Sequence, residues 1–144
     1  MANMIMLNHF KPEEFRIGDK VVYDKMNSNF LLSLDKLRED VMLRCLELGE
    51  PDIKFLVKSS YRTEEENNRV RGAKNSMHLI GRAVDIWVSQ KGIMTGVQRA
   101  IIISCALNNG LSVGIMRNAL HIDDREKQIV FTYPQAEFSS AALH

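Results

Sequence analysis

Two residues in the middle of the sequence have the side chains and the spacing to share a metal ion. His78 and Asp85 lie seven residues apart, and the chain between them leaves a polar loop, turns at Gly81 and enters an apolar strand. Such a bend can bring an imidazole and a carboxylate to one point, and both groups are good zinc ligands. Asp85 lies between Val84 and Ile86, where an unpaired charge is costly to bury, so a cation is expected beside it.

A second histidine and aspartate pair lies closer to the C-terminus. Residues two apart on a strand share a face, so His121 and Asp123 are expected to point the same way while Leu120 and Ile122 pack inward. Asp123 can then hold the His121 ring in one tautomer or act on a bound water. Two histidines and one carboxylate leave the fourth zinc position open for water, as in catalytic zinc sites.

Simpler interpretations of the same residues stay open on spacing alone. A histidine near an aspartate is commonly a hydrogen-bonded pair or part of the solvated surface, and this spacing is not a specific motif by itself. Arg62 follows a predicted strand, and its planar guanidinium suits a carboxylate or the oxyanion of a tetrahedral intermediate, although loop arginines are usually solvated. The Ser76 hydroxyl can bond to the site or only to its own loop.

Helices are predicted where apolar residues recur at three- and four-residue steps between capping residues. Ser28 is a candidate N-cap and Gly49 a stop for the longest of them. Thr63 and Glu66 have the spacing of a capping box. The predicted helices run between the Ser28 cap and the Gly49 stop, from Thr63 to Gly72, and over Gly96–Asn109 between a Thr95 cap and Gly110, with one short turn at Lys11–Phe15.

Short β-branched and apolar runs between turn residues predict the strands. Polar residues predict loops at 59–62 and 73–80, and Arg117-Asn118 is expected to be a turn between two strands. The order of elements predicts an α+β domain with a small, mostly antiparallel sheet flanked by helices. The predicted strands cover residues 53–58, 82–88, 111–116, 119–123 and 129–133.

The composition is that of an ordinary globular domain. The chain has 144 residues with 45% hydrophobic and 26% charged residues, and a net charge of +1 gives no indication of nucleic-acid binding. No apolar run has the length of a membrane span, and the N-terminus lacks the features of a signal peptide. Cys45 and Cys105 lie in apolar helical patterns and are expected to be buried free thiols. We expect a monomer.

Several motifs occur together in a fixed order: Ser60-Tyr61-Arg62-Thr63, Asn67 before Gly72-Ala73, Ser76-x-His78-x-x-Gly81-x-Ala83-x-Asp85 and His121-Ile122-Asp123. The combination is more specific than any one of them. Their order resembles the zinc D-Ala-D-Ala carboxypeptidase family, the peptidoglycan metallopeptidases of the hedgehog/DD-peptidase fold, over about residues 10–125. The chain looks most like the short single-domain members found in phages and bacteria.

The resemblance implies a ligand set and an activity. It implies one zinc ion per chain, bound by His78, Asp85 and His121, and it implies that Arg62 contacts the substrate carboxylate or the transition state. The implied reaction is hydrolysis of peptide bonds in peptidoglycan stem peptides, by a carboxypeptidase or an endopeptidase that uses a zinc-bound water. Residues 1–134 are then one metallopeptidase-like domain and residues 135–144 a flexible tail. Made in the cytoplasm without a signal peptide, the protein is expected to act on the cell wall after release.

One position departs from the pattern of the family. Many relatives have an acidic general base three residues before the last histidine, where this chain has Asn118 after Arg117. Asparagine cannot accept a proton, so we expect Asp123 to serve as the base and place Asn118 with Tyr61 and Ser76 among the substrate contacts. The alternatives are a catalytically weak or inactive zinc-binding protein that binds the wall, and a phage structural protein of the same fold.

Overall fold

The computed structural model describes residues 5–88 and 94–133, and it has an α+β architecture, as predicted. The helices are α1 (Ser28–Leu48), α2 (Glu64–Arg69) and α3 (Gly96–Asn108), with 3-10 turns at Pro12–Glu14, Tyr23–Lys25 and Met77–Ile80. The strands are β1 (Arg16–Ile17), β2 (Lys20–Val21), β3 (Leu56–Ser59), β4 (Ala83–Trp87), β5 (Ser112–Ile115), β6 (Leu120–Asp123) and β7 (Val130–Thr132).

The strands form one main sheet and one small hairpin. The main sheet has the order β3-β4-β6-β5-β7, and its neighbours are antiparallel except for the parallel pair β5 and β7. The hairpin of β1 and β2 was not predicted, because strands of two residues are too short to show an alternating pattern. Within the described ranges, no helix combines the length and the apolar character needed to cross a membrane.

The longest helix begins one residue earlier than its predicted cap implies. The side chain of Asn27, not that of Ser28, accepts a hydrogen bond from the Phe30 amide at 2.9 Å. Both residue types cap well, but only Asn27 keeps the extended backbone that an N-cap requires, and Ser28 is already helical. The predicted stop is confirmed, since Gly49 adopts a left-handed conformation with a φ of 68°.

Two other predicted segments differ from the structure. The strand predicted over residues 53–58 begins only at Leu56, because β4 ends opposite it at Trp87 and earlier residues have no partner strand. Ile53 and Phe55 are nevertheless buried, which explains their apolar character. The segment 73–80, predicted as loop, contains the 3-10 turn Met77–Ile80.

The main sheet has an apolar face and a polar face. Alternate residues of the central strands point into the core together with α1 and α3, which pack against each other. The intervening residues point to the opposite face, where the sequence places its polar groups. The core-facing residues are Val84 and Ile86 of β4, Val113 of β5, and Leu120 and Ile122 of β6.

The two cysteines face this core, as predicted. Cys45 of α1 and Cys105 of α3 are buried and free. Burial raises the pKa of both thiols above the ordinary value, which keeps them protonated and unreactive.

A nearly buried arginine ties α1 to the segment that leads into β3. Arg38 donates from Nη1 and Nη2 to the two carboxylate oxygens of Asp52, at 3.1 and 2.6 Å, and its guanidinium lies 5.6 Å from the centre of the Phe55 ring. These hydrogen bonds hold the pKa of Asp52 below its ordinary value of 3.8, although burial acts in the opposite direction.

We therefore predict that Asp52→Asn lowers the free energy of unfolding at pH 7 by about 1–2 kcal/mol, since the Asp52 side chain is 37% exposed and solvent screens the pair. Because the folded-state pKa is lowered, this contribution is present above the ordinary pKa and disappears as the pH falls through the lowered value. Urea denaturation across this pH range measures the effect. Glu47→Gln, at the exposed pair with Arg44, is the control and should leave stability unchanged. Equal stability of wild type and Asp52→Asn at pH 7 would contradict the prediction.

Candidate metal centre

Asp85 lies at the centre of a buried cluster on the polar face of the sheet. Its register partners are Ser59 on β3 and His121 on β6, and it is only 4% exposed. Asp85 Oδ1 lies 3.1 Å from His78 Nε2 and 3.0 Å from His121 Nδ1. The three residues predicted as metal ligands are thus brought together by the fold.

The turn before β4 delivers His78 to this cluster. The Ser76 hydroxyl accepts a hydrogen bond from the His78 amide at 3.2 Å and caps the 3-10 turn, and Gly81 ends the turn with a φ of 69°. A side chain at Gly81 would also be excluded by space, because a Cβ would lie 2.2 Å from the carbonyl oxygen of Lys25. The bend expected at Gly81 is therefore present, and it requires glycine for both reasons.

Partners behind each imidazole fix which ring nitrogen faces Asp85. His78 Nδ1 lies 2.6 Å from the carbonyl oxygen of Ser60, and His121 Nε2 lies 2.7 Å from Asp123 Oδ2. A carbonyl and a carboxylate can only accept, so these two nitrogens carry the protons. In the neutral rings the lone pairs of His78 Nε2 and His121 Nδ1 then point at the Asp85 carboxylate, so these three acceptors can approach one another only around a proton or a metal ion.

This donor set fits a metal ion such as zinc. A tetrahedral zinc site with bonds of about 2.0–2.1 Å places its ligand atoms about 3.3 Å apart, close to the separations around Asp85 Oδ1. Each imidazole already has the outer hydrogen-bond partner that ligating histidines generally have. The two histidines and Asp85 are all buried, so a cation here would offset a charge that the interior otherwise disfavours.

Hydrogen bonds within the cluster shift the pKa values of its carboxylates and of His121. Burial alone would raise the pKa of Asp85, but hydrogen bonds with His121 and His78 outweigh it and hold that pKa well below the usual range. Burial would likewise lower the pKa of His121, and its hydrogen bonds with Asp123 and Asp85 raise it instead. The two carboxylates are therefore ionised, and the cluster favours positive charge at its centre.

Asp123 lies behind the His121 ring. It is fully buried, and besides His121 its oxygens accept hydrogen bonds from Arg125, from the backbone amide at 3.0 Å and from Nε at 2.9 Å. Burial would raise the pKa of Asp123, but these bonds lower it far below the usual range. This position fits a carboxylate that orients the imidazole, which was one of its two expected roles. The other role, as general base, stays a prediction to which these contacts lend no support.

Arg62 contacts the second oxygen of Asp85. Its Nη2 donates to Asp85 Oδ2 at 3.0 Å, its Nε to Ser59 Oγ at 3.1 Å and its Nη1 to Asn67 Oδ1 at 3.3 Å. The guanidinium is therefore part of the metal centre's support. Its contact with a substrate stays a prediction.

The remaining residues predicted for the site have more local positions. Tyr61 is half-buried and packs against the hydrophobic core, and Ser76 caps the turn that carries His78. Asn118 is exposed in the turn between β5 and β6, as expected for that segment. Substrate contacts by these three residues stay predictions.

An aromatic pair beside the metal centre was not predicted. The rings of Phe131 and Tyr133 lie 5.8 and 6.0 Å from the His121 ring, measured between centroids. Gly114 provides the space for them, because a Cβ there would lie 2.6 Å from a Phe131 ring carbon and 2.8 Å from one of Tyr133. Phe131 and Tyr133 are two residues apart in a predicted strand, so the sequence could have predicted that they share a face. Only the parallel pairing of β7 with β5 shows that this face lies beside His121.

The geometry defines a buried group of two histidines and one carboxylate that could hold a metal ion, with the ligand types that metallopeptidases use. A family model for Peptidase M15 matches residues 8–123. The chain therefore belongs to the Peptidase M15 family of metallopeptidases, whose members depend on zinc, and the resemblance seen in the motifs is confirmed. A search of curated proteins finds no match.

We predict that Asp123→Asn weakens zinc binding by about 10–100-fold, because the outer carboxylate no longer fixes the His121 tautomer. Competition with a chromophoric chelator measures the affinity. Asp124→Asn is the matched control, since the neighbouring carboxylate bonds to Arg82 at 2.8 Å outside the cluster, and it should bind zinc as wild type does. Unchanged zinc affinity with a complete loss of turnover in Asp123→Asn would contradict the orienting role and favour the general base.

Proposed function

We propose that this chain is a zinc-dependent peptidase that hydrolyses peptide bonds in peptidoglycan stem peptides, as a D-Ala-D-Ala carboxypeptidase or an endopeptidase. The observation that carries the proposal is the convergence of His78 Nε2, His121 Nδ1 and Asp85 Oδ1 on one point, with outer partners that fix both tautomers. Membership of the Peptidase M15 family supports both the metal and the substrate class.

A different residue of the chain holds each of the three proposed zinc ligands. A zinc ion bound here would supply a Lewis acid and lower the pKa of a water molecule. His78 is held by the Ser60 carbonyl, His121 by Asp123, and Asp85 by Arg62. Because each ligand is fixed before the metal arrives, the site needs little reorganisation to bind it, which favours both affinity and a defined geometry.

The aromatic pair supplies a surface for the substrate beside this centre. The ring centroids of Phe131 and Tyr133 lie 5.6 Å apart, and both rings border His121, so they form an apolar wall next to the ligands. Small apolar side chains such as the methyl groups of alanine residues would pack on such a wall.

The same proposal places the protein at the cell wall after its release from the cell.

Asn118 motivates a second candidate function, a zinc-binding module that binds the wall with little or no turnover. Asparagine at this position cannot accept a proton, and the oxygens of Asp123 are engaged by His121 and Arg125. The two candidates make different predictions for the wild-type chain and for a variant that restores the acid.

We predict that the wild-type chain binds about one zinc ion and releases peptide products from muropeptides, whereas His121→Ala loses the metal and the activity. Elemental analysis and chromatography of digested muropeptides measure the two effects. His9→Ala is the matched control, because His9 pairs with Glu39 outside the cluster, and it should keep both properties. A folded His121→Ala that still cleaves would rule out the proposed mechanism.

Asn118→Asp separates the two candidate functions. If the chain is a peptidase, wild type already turns over and the added carboxylate changes only the rate. If cleavage appears only in Asn118→Asp, the natural protein is a zinc-binding module, and the peptidase proposal is wrong.

A further inference from the structure

We infer that Asn67 is a positioning residue of the metal centre, which holds Arg62 so that Arg62 fixes the second oxygen of Asp85. The inference rests on the proposed metal site and concerns residues that do not themselves touch the metal. Asn67 lies on α2, and its link to Asp85 runs through the single guanidinium of Arg62.

Asn67 is buried and uses both ends of its carboxamide. It is 3% exposed, although α2 has only six residues and a largely exposed surface. Its Oδ1 accepts from Arg62 Nη1 at 3.3 Å, and its Nδ2 donates to the carbonyl oxygen of Ala73 at 2.9 Å. A buried polar side chain is costly unless its hydrogen bonds are satisfied, so the cost of burying Asn67 is offset by these two specific bonds.

Gly72 shows that the position of Asn67 is closely constrained. A Cβ at residue 72 would lie 2.0 Å from Asn67 Oδ1 and 3.0 Å from Arg62 Nη1. Gly72 is not among the residues with a positive φ, so its backbone does not require glycine. The absence of a side chain is instead required by space, because the Asn67 carboxamide and the Arg62 guanidinium occupy the place that a Cβ would take.

Arg62 needs this support to hold Asp85 in one orientation. An arginine side chain has several rotatable bonds, and fixing it costs conformational entropy. Here Ser59 and Asn67 hold two of its nitrogens while the third donates to Asp85 Oδ2. With Oδ2 engaged, Oδ1 of the same carboxylate points at the two histidines. Loss of Asn67 would free the guanidinium and with it the carboxylate.

Zinc affinity of three variants tests this chain of contacts. Asn67→Ala removes the carboxamide, and Gly72→Ala keeps Asn67 but displaces it, so the second variant tests the same contact even where the first fails to fold. We expect each single variant to bind zinc about tenfold or more weakly than wild type. The double variant should be no weaker than Asn67→Ala alone, because the carboxamide 2.0 Å from the added methyl group is then gone and the remaining contact, with Arg62 Nη1 at 3.0 Å, is relieved by a small shift of that flexible side chain.

Asn109→Ala is the matched control for the loss of a structural asparagine. Asn109 donates to Asp40 Oδ2 and to the carbonyl oxygen of Cys105, both at 2.8 Å, in the contact between α1 and α3. It should lower the melting temperature and leave zinc affinity unchanged. Wild-type zinc affinity in folded Asn67→Ala or Gly72→Ala, or fully additive losses in the double variant, would overturn the inference. Absence of zinc binding by the wild-type chain would instead overturn the proposed function, and this inference with it.

Discussion

The buried carboxylate of Asp85 is the charge around which the polar face of the sheet is arranged. A charge this far from water is costly unless every oxygen has a partner, and here Oδ1 faces two imidazoles while Oδ2 accepts from Arg62. Those partners come from separate parts of the chain. The 3-10 turn supplies His78, β6 supplies His121, and the loop after β3 supplies Arg62. The fold therefore brings three segments to one carboxylate.

Strand alternation makes this arrangement compatible with a stable core. On β4, Val84 and Ile86 pack into the hydrophobic core while Asp85 between them points to the other face. The antiparallel register with β6 puts His121 directly beside Asp85, and a slip of either strand by one residue would turn that strand's ligand into the core. The burial of apolar residues against α1 and α3 thus also fixes the ligands in register.

Features that depend on residues close together in sequence could be predicted. Features that depend on contacts between residues far apart in sequence were missed. The candidate pair of His78 and Asp85 was visible because a histidine, a bend at Gly81 and an aspartate in an apolar strand lie within eight residues. The complete ligand set with His121 was implied by the resemblance of the ordered motifs to the family. The hydrogen bond from Arg62 to Asp85 joins residues 23 positions apart, so no local sequence pattern predicts it. Asn27 is the helix cap because its backbone is extended, whereas Ser28 is already helical. Both residue types cap well, so the sequence alone did not distinguish them.

Anomalous diffraction at the zinc edge from crystals grown with zinc tests the central claim most directly. The account predicts one strong peak on the polar face of the sheet, about 2.0–2.2 Å from His78 Nε2, Asp85 Oδ1 and His121 Nδ1, with the outer bonds to Ser60 and Asp123 retained. A peak bound by other residues, or no peak between these three side chains at saturating zinc, would contradict it.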